Sequence, residues 1–408
     1  MTNEVKNVPE LRFPNFSEEW KKFVFKDQII SIEKGTDLLG SEDNMGIPLI
    51  KMGNIKRGYF SFNKLEKLRE SETIQEKYYI KKGDFLFNTR NTMELVGKSA
   101  TWTNKSDKFA FNSNIARIVL KDIDTYFFNY LYNTSKMINK VKSLAVGTTS
   151  VAAIYPRDLN HLNYFLPLIA EQEKIGEFFS KLDQQIELEE QKLEKLEEQK
   201  KGYMQKIFSQ ELRFKDENGN DYPEWEDKLI SDIGKVVTGN TPSKKDNDYW
   251  NSNQYVWVTP TDISNKKNIY TSGYQLSQKG FSKARQLPKN TLLITCIASI
   301  GKNAILRIEG SCNQQINAVI PNDNYDVDYL YYAFEDVSKL MKSIAGKTAT
   351  QIVNKAVFEK LLLNVPIYEE QQKISGFLNK VDILIDKQTQ KIDELKLRKQ
   401  GFLQKMFV

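Results

Sequence analysis

The sequence is poor in the residues that build metal and redox sites. Its 408 residues include one histidine, His161, and two cysteines, Cys296 and Cys312. So few ligands argue against a disulfide framework or a Cys/His zinc site, and they favour a reducing, cytoplasmic location. No nucleophile motif lies beside His161, so we interpret it as a surface residue next to a strand.

Long apolar runs are also missing. No stretch approaches the roughly 18 consecutive apolar residues of a membrane span, and the first ten residues lack the apolar run of a signal peptide. We therefore expect no membrane partner. The composition, 40% hydrophobic and 27% charged, is typical of a globular protein, and the length suits two to four domains.

Catalytic motifs are scarce as well. The GKS at 97–99 and the GKT at 346–348 suggest a phosphate loop, but Thr92 and Met341 occupy the positions where that loop requires its first glycine. Neither an Asn-Pro-Pro-Tyr-like methylation motif nor a glycine-rich S-adenosylmethionine loop is present. The sequence predicts a recognition protein, although an enzyme using paired carboxylates alone stays an alternative.

What the sequence does contain is an internal repeat. Residues 167–208 align without a gap to residues 366–407, at an offset of 199, with 17 of 42 positions identical. Upstream of each segment lies a diverged part of roughly 150 residues with fainter similarity. A preserved part joined to a diverged part suggests two modules that share a frame and have different targets.

The preserved segments predict two long helices, because apolar residues recur at steps of four and three. We expect these two apolar seams to pair with each other, the alternative being that each helix packs only on its own domain. The seam positions are Ile175, Phe179, Leu182, Ile186, Leu193 and Leu196 in the first helix, and Ile374, Leu378, Val381, Ile385, Ile392 and Leu395 in the second.

The diverged parts predict a mixed α/β (α+β) fold with small sheets. Helices are expected at Tyr126–Ser143 and Val327–Ser343, separated from the strands by loops rich in Gly, Asn and Ser. Short runs of β-branched and aromatic residues predict strands at 47–52, 84–89, 115–120, 255–260, 291–300 and 317–321.

Positive charge is concentrated in the diverged parts. The whole chain carries +6, but residues 171–210 carry −3, and residues 263–308 contain eight basic residues and no acidic one. Two further acid-free windows, 125–157 and 337–358, enclose loops rich in Gly and Thr. The absence of acidic residues beside such loops indicates a surface that contacts nucleic-acid phosphates. The alternative is an ordinary charged surface that faces solvent.

Several motifs recur in order and point to a family. Pro167-Leu168, Glu171–Ile175 and Leu182-Asp183 match Pro366-Ile367, Glu370–Ile374 and Val381-Asp382; Gly239–Ser243, Trp257–Pro260 and Asn313–Gln315 add to the pattern. This layout resembles the specificity (S) subunit of type I restriction–modification systems across essentially the whole chain.

The resemblance implies two target-recognition domains, at 1–166 and 211–365, and two spacer helices, at 167–210 and 366–408. The helices would pair as an antiparallel coiled coil, giving a pseudo-twofold molecule. Each domain would read one half of an asymmetric, interrupted DNA sequence, and the spacer would set the half-sites about one helical turn apart.

The resemblance also implies partners. Besides double-stranded DNA, these would be two methyltransferase (M) subunits that use S-adenosylmethionine and two restriction (R) subunits that use ATP and Mg²⁺. No cofactor, metal or catalytic residue would belong to this chain. The alternatives are a single-chain DNA-modifying enzyme and a coiled-coil scaffold without a nucleic-acid role.

Candidate DNA-binding residues follow from the family's motifs and from matching positions in the two repeats. In the first domain Gly35-Thr36-Asp37 and Asn112-Ser113-Asn114 depart from the family pattern. The family's site residues are therefore easier to assign to positions in the second domain. The candidates are Arg90, Asn91, Lys98, Asn112, Asn114, Thr148 and Thr149, and then Thr241, Ser243, Lys244, Lys245, Asn247, Lys302, Gln314, Gln315, Lys347, Thr348 and Gln351.

The phase of the repeat makes a prediction about the chain ends. Leu212-Arg213-Phe214 follows the first long helix, whereas the chain stops at Val408 after the second. Leu11-Arg12-Phe13 supplies the missing counterpart if the two ends lie close together. We therefore expect a pseudo-circular molecule.

Overall fold

The chain divides into two compact units in a computed structural model that describes residues 7–103, 108–250, 252–264, 266–346 and 352–408. Unit 1 comprises Met1–Gln191 together with Thr389–Val408, and unit 2 comprises Lys192–Gln388. Unit 1 is discontinuous in sequence, because the last part of the chain belongs to it. Each unit thus combines a mixed α/β part with segments of two long helices.

The elements of unit 1 alternate short strands with short helices. Its strands are β1 (Lys21–Val24), β2 (Ile29–Lys34), β3 (Pro48–Ile50), β4 (Glu66–Lys67), β5 (Phe85–Asn88), β6 (Arg90–Asn91), β7 (Ser99–Thr101), β8 (Ala110–Phe111), β9 (Ile115–Leu120), β10 (Val146–Gly147), β11 (Ala152–Ala153) and β12 (Asn163–Leu166). Its helices are α1 (Thr125–Tyr132), α2 (Ser135–Lys142), α3 (Pro156–Leu159) and the first part of α4 (Ile169–Phe208).

Small sheets form the frame of unit 1. The largest described sheet has the order β2-β9-β5-β7 with antiparallel pairing, and a second has the order β4-β3-β8, with β3 and β8 parallel. Strand β1 pairs with β12, and β10-β11-β6 forms a small antiparallel sheet. Every residue of β5 is buried, so this strand lies at the centre of the unit.

An aromatic core joins the sheet of unit 1 to its helices. Phe85, Phe128 and Tyr132 contact one another with ring centroids 5.0–5.8 Å apart. The same cluster includes Phe179 of α4 and Met406 near the end of the chain, both buried. Burying such side chains stabilises a unit by about 1.5–3 kcal/mol each.

Unit 2 repeats this arrangement with longer strands. Its strands are β13 (Glu226–Leu229), β14 (Gly234–Thr238), β15 (Tyr255–Val258), β16 (Asn268–Ile269), β17 (Tyr274–Leu276), β18 (Thr291–Thr295), β19 (Asn303–Leu306), β20 (Gly310–Cys312), β21 (Ile316–Pro321) and β22 (Leu362–Val365). Its helices are α5 (Ile230–Ile233), α6 (Gln278–Phe281), α7 (Val327–Ala345), α8 (Lys355–Phe358) and the first part of α9 (Tyr368–Lys405).

The sheets of unit 2 correspond to those of unit 1. The order is β14-β21-β18-β19-β16 in the main sheet and β17-β15-β20 in the second. As in unit 1, the second sheet has a parallel pair, β15 with β20, whereas the main sheet of unit 2 adds a parallel pair of its own, β16 with β19. Strand β13 pairs with β22 as β1 pairs with β12. Helices α1 and α7 also start alike, since Asp124 and Asp326 each accept a hydrogen bond of 2.7 Å from the backbone three residues on.

The structure corrects three predicted boundaries. The segment Tyr126–Ser143 is two helices, because the first ends at Tyr132 with Asn133 as its C-cap and Thr134 caps the second by accepting a hydrogen bond from Met137 N. The strand expected at 291–300 ends at Thr295, since the chain turns at Ala298 and Gly301, both with positive φ. The strand expected at 255–260 ends at Val258.

The predicted seam positions face inward to different degrees. Ile175, Phe179, Leu182 and Ile186 are buried in unit 1, as are Ile374 and Leu378 in unit 2 and Ile392 in unit 1. Leu193, Leu196, Val381, Ile385 and Leu395 are half-buried. No helix in the described part of the chain is both long and apolar enough to cross a membrane.

Candidate nucleic-acid interface

The loop after β14 in unit 2 is held by a glycine that nothing larger can replace. Gly239 N donates to Ile316 O (3.1 Å) and Asn240 N donates to Cys312 O (3.0 Å). A Cβ on Gly239 would overlap the carbonyl oxygens of Cys312 and Asn313 and would stand 2.6 Å from the Cys312 carbonyl carbon. This close approach fixes where the loop leaves the sheet.

Asn240 then ties the loop to the acid-free segment. Its side-chain amide donates to Lys283 O (2.9 Å), and its side-chain oxygen accepts from Arg285 N (2.6 Å). Its backbone carbonyl accepts from the Trp257 indole (3.0 Å). The loop is therefore rigid at its base, so the side chains that follow Asn240 start from a fixed position.

Two predicted site residues meet beyond this anchor. The Thr241 hydroxyl donates to the Gln314 side-chain oxygen at 2.6 Å, and Gln314 is exposed. Gln315, by contrast, is half-buried and its side-chain oxygen accepts from Asn313 (3.1 Å) within the same turn. Thr241 and Gln314 form a polar pair at the surface, while Gln315 stabilises the turn that presents Gln314.

The rest of the loop is exposed and cationic. Ser243, Lys244, Lys245 and Asn247 are all exposed, and the Ser243 carbonyl accepts from the Trp250 indole (3.1 Å). Lys244 lies over the Tyr274 ring, 5.7 Å from its centroid. Neither Lys244 nor Lys245 has a carboxylate partner among the described residues, so both charges are available to an anion.

Tyr274 is a site residue that sequence reasoning missed. It is 54% exposed, yet its ring contacts Trp250 and Trp257, with centroids 6.4 and 6.0 Å away. The three rings form a platform under the loop. The only sequence signal was an isolated tyrosine in a run of polar residues, which does not distinguish a platform from a surface aromatic.

A second predicted region of unit 2 surrounds the turn at Gly301. Lys302 is exposed and lines a depression of about 310 Å³ with Lys342 and Gly346. The predicted residues Lys347, Thr348 and Gln351 follow in sequence, but they lie outside the described residues.

Unit 1 repeats the glycine anchor with different side chains. Thr36 N donates to Phe111 O (2.9 Å), and a Cβ on Gly35 would lie 2.5 Å from Asn112 O. The Asn112 side-chain oxygen is buried without a partner in the described part of the molecule. Asp37 therefore stands where unit 2 has Thr241. Asn112 as a whole is half-buried, so it is less accessible than the exposed candidates.

The β10-β11-β6 sheet brings four predicted residues of unit 1 together. Arg90 and Asn91 form β6, and the Thr148–Thr149 loop connects β10 to β11. Met93 N donates to Thr149 O (3.1 Å), which closes the loop onto the segment after β6. Arg90, Thr148 and Thr149 are exposed and Asn91 is half-buried.

A groove of about 620 Å³ runs beside this sheet. Its lining includes Arg90, Asn114 and Tyr155, and also the acidic Glu33 and Asp37. The Glu33 carboxylate is already paired with Arg117. The backbone carbonyl of Asn114 accepts hydrogen bonds from the Thr89 hydroxyl (2.9 Å) and the Thr89 backbone N–H (3.1 Å), and Asn114 lines the groove.

Lys98 was predicted as a DNA-binding candidate, but it is buried and only 7% exposed. Burial lowers its pKa, and the nearby cations Lys56 and Arg57 lower the pKa further. The hydrogen bond from Gly58 N to Ser99 O (2.8 Å) brings that segment alongside. Sequence reasoning missed Lys56 and Arg57, which lie about forty residues earlier in the chain.

The cysteines and acidic residues build no metal site in the part of the chain that the structure describes, where no cluster of three or more His, Cys, Asp or Glu is placed to hold a metal ion. Cys296 and Cys312 are buried free thiols, and burial raises the pKa values to about 11 and about 12. Both cysteines serve as core residues of unit 2.

Comparison with known proteins shows which protein family this chain belongs to. A family profile described as a type I restriction modification DNA specificity domain matches the chain twice, at residues 17–198 and 222–397. Two glycine-anchored polar loops on matching frames, together with a specificity domain in each half, define a DNA-recognition protein. The chain belongs to the type I restriction-modification DNA specificity family.

Relatives agree with this assignment. The MjaIX specificity subunit of Methanocaldococcus jannaschii is 34% identical over 44% of this chain and 43% of that protein. A putative MjaX specificity subunit of the same organism is 23% identical over 96% of this chain and 94% of that protein. The predicted resemblance is confirmed, as is the prediction of a non-catalytic DNA-recognition component.

Solved structures share the fold. An S subunit of a type I system from M. genitalium has a TM-score of 0.61 and 16% identity, covering 98% of this chain and 99% of that one. A chain from a study of complex assembly in the type I R-M system has a TM-score of 0.57 and 15% identity, with 95% and 97% covered. At these identities the likeness is one of fold.

Proposed function

We propose that this chain reads an asymmetric, interrupted DNA sequence, with one half-site recognised by each unit. One observation carries the proposal: the same glycine anchor recurs in both units, but the side chains that it presents differ. Unit 1 presents Asp37 and Ser113 where unit 2 presents Thr241 and Gln314. A common frame with different polar side chains is what reading two different half-sites requires.

We assign the candidates that are exposed or half-buried to two kinds of contact. Arginine and amide side chains pair with base edges, whereas lysines and hydroxyls more often hold phosphates. The base-contact group is Arg90, Asn91, Asn114, Asn247 and Gln314, and the phosphate-contact group is Thr148, Thr149, Thr241, Ser243, Lys244, Lys245 and Lys302. Lys347, Thr348 and Gln351 stay candidates on sequence alone.

The two long helices would serve as the spacer, paired as an antiparallel coiled coil. Within unit 1, α4 and α9 are joined by a contact of Phe178 with Phe402 (5.2 Å between centroids) and by an ion pair of Asp183 with Lys399. Within unit 2, Lys200 pairs with Asp382 at 2.6 Å. Residues 183 and 382 differ by the repeat offset of 199, which supports a pseudo-twofold relation between the units.

The chain ends support the pseudo-circular arrangement. Leu11 N donates to Lys405 O (2.9 Å), and Leu212 N donates to Lys206 O at the same distance. Leu11 thus contacts the end of α9 in the same way as Leu212 contacts the end of α4. Residues 11 and 405 are therefore neighbours, which favours the pseudo-circular arrangement.

Two M subunits and two R subunits would assemble on this frame, with S-adenosylmethionine, ATP and Mg²⁺ bound to those partners and the complex located in the cytoplasm. Support comes from the family assignment and from the fold shared with a chain solved in a study of complex assembly in the type I R-M system. Two helices repeated at one offset offer the same surface twice, which suits two copies of a partner.

Salt dependence tests the DNA contact. The full chain with its methyltransferase subunits should lose affinity for duplex DNA steeply as salt rises, because phosphate contacts release counterions. Lys244→Ala combined with Lys245→Ala should reduce the slope of log affinity against log salt by about 2. Fluorescence anisotropy at several salt concentrations measures the slope.

Lys228→Ala is the control, since Lys228 lies in β13 and its ammonium is paired with Glu226 at 2.6 Å. It should leave the slope unchanged. An affinity that does not depend on salt, or equal slopes for the double variant and the control, would show that this loop does not contact DNA phosphates.

A further inference from the structure

The position of Arg90 is fixed by its backbone. Strand β6 pairs with β11 so that Arg90 lies opposite Ala153, and Ile154 N donates to Thr89 O (3.0 Å). The Asn88 side-chain oxygen also accepts from Arg90 N at 3.2 Å. The side chain thus leaves a short, doubly anchored strand instead of a free loop.

Unit 2 has the same backbone arrangement at this place. Val353 N donates to Cys296 O (3.1 Å), and Ile297 forms an antiparallel bridge with Ile352. Ile297 therefore occupies in unit 2 the position that Arg90 occupies in unit 1. One unit offers a guanidinium at this point of the frame, and the other offers an aliphatic side chain.

The Arg90 guanidinium is available for a ligand. Arg90 is exposed, and within the described residues its side chain has no hydrogen bond or ion pair. Two other arginines of the unit are engaged: Arg117 binds Glu33 and Asp84, and Arg12 binds Glu171. A free guanidinium on an anchored strand can place two parallel donors with little loss of entropy.

We propose that Arg90 reads a guanine in the half-site of unit 1 and that unit 2, which has Ile297 at the corresponding position, reads no guanine there. The proposal rests on the proposed function and adds a base to it. Guanine presents O6 and N7 as adjacent acceptors in the major groove, and the arginine fork matches them with two hydrogen bonds. Asn114 and Tyr155 line the same groove and would flank the base pair.

Methylation rates on a panel of duplexes test the assignment. The complete complex of this chain with its methyltransferase subunits is assayed on its methylation motif and on duplexes that change one base pair at a time. We expect the wild-type complex to disfavour replacement of one G·C pair, in one half-site, by about 5- to 150-fold. Arg90→Ala should reduce that preference to about threefold or less and leave every other position unchanged.

Two further variants separate reading from charge and folding. Arg90→Lys keeps the charge but loses the fork, so it should bind DNA and still lose most of the preference. Arg69→Ala is the control, because Arg69 is exposed in the same unit and does not line the groove. It should methylate with the wild-type preferences.

Each alternative outcome is distinct. If Arg90→Ala slows methylation of every duplex equally, Arg90 holds a phosphate and the proposal is wrong. It is equally wrong if Arg90→Lys keeps the full preference, or if the lost preference is for an A·T pair. If the wild-type complex methylates no interrupted motif at all, the proposed function fails. If it methylates such a motif and Arg90→Ala changes no base preference, only the proposal for Arg90 fails.

Discussion

Gly239→Ala is expected to abolish recognition by unit 2 while unit 1 continues to read its half-site. The added methyl group would overlap the carbonyl oxygens of Cys312 and Asn313, and these belong to backbone that cannot rotate away. The loop must then leave the sheet, which separates Thr241 from Gln314 and moves the lysines that follow. Overpacking of this kind costs about 1–3 kcal/mol in stability, and the loss of recognition should be larger still because the whole loop is displaced.

Methylation of duplexes that vary one half-site at a time measures this effect. Gly35→Ala makes the reciprocal test, since the same close approach occurs there in unit 1. Gly202→Ala is the control: Gly202 lies in α4 with open space around its Cβ, so alanine should be neutral or stabilise by up to about 1 kcal/mol. A Gly239→Ala complex that keeps its half-site preference would show that the anchor does not position the loop.

Glu370→Ala is expected to destabilise unit 2 by about 3–5 kcal/mol, the usual cost of breaking a buried ion pair. The Glu370 side chain is fully buried and accepts hydrogen bonds from Arg213 (2.8 and 3.3 Å) and from the Trp225 indole (3.1 Å). Removing the carboxylate leaves the Arg213 guanidinium and the indole without their shared acceptor. Both belong to the segment that connects α4 to β13, so this connection should loosen first.

Urea unfolding of the full chain, followed by hydrogen exchange in β13 and β22, measures the loss in unit 2. Glu369→Ala is the matched control, because Glu369 is the exposed neighbour on the same helix. It should shift the unfolding free energy by less than about 0.5 kcal/mol. If the two variants prove equally stable, the buried carboxylate does not hold the segment to the helix.

The sequence predicts much of this fold because the repeat constrains it twice. The long helices follow from the spacing of their apolar residues and from the repeat, the central strands follow from runs of β-branched and aromatic residues, and the loop after β14 follows from its Gly, Asn and Ser content. The helix break at Thr134 was not predicted, since a threonine is tolerated inside helices and its capping role depends on the hydrogen bond to Met137. Local pattern does not contain that information.

The sequence indicates which loops are candidates for the site and says less about single side chains. Lys98 looks like a surface cation in the sequence, but the segment carrying Lys56 and Arg57 packs beside it and buries it. Tyr274 supports the loop through contacts with Trp250 and Trp257 that span more than fifteen residues of sequence. Contacts between distant segments decide both cases, and a single sequence does not reveal them.

Mapping of methylated bases across the genome shows whether this chain directs methylation to a bipartite target. The map is compared between cells that carry this gene beside its methyltransferase and cells from which this gene alone is deleted. We expect one asymmetric, interrupted motif to be methylated in the first and unmethylated in the second. If no interrupted motif disappears on deletion, this chain does not direct methylation to a bipartite target.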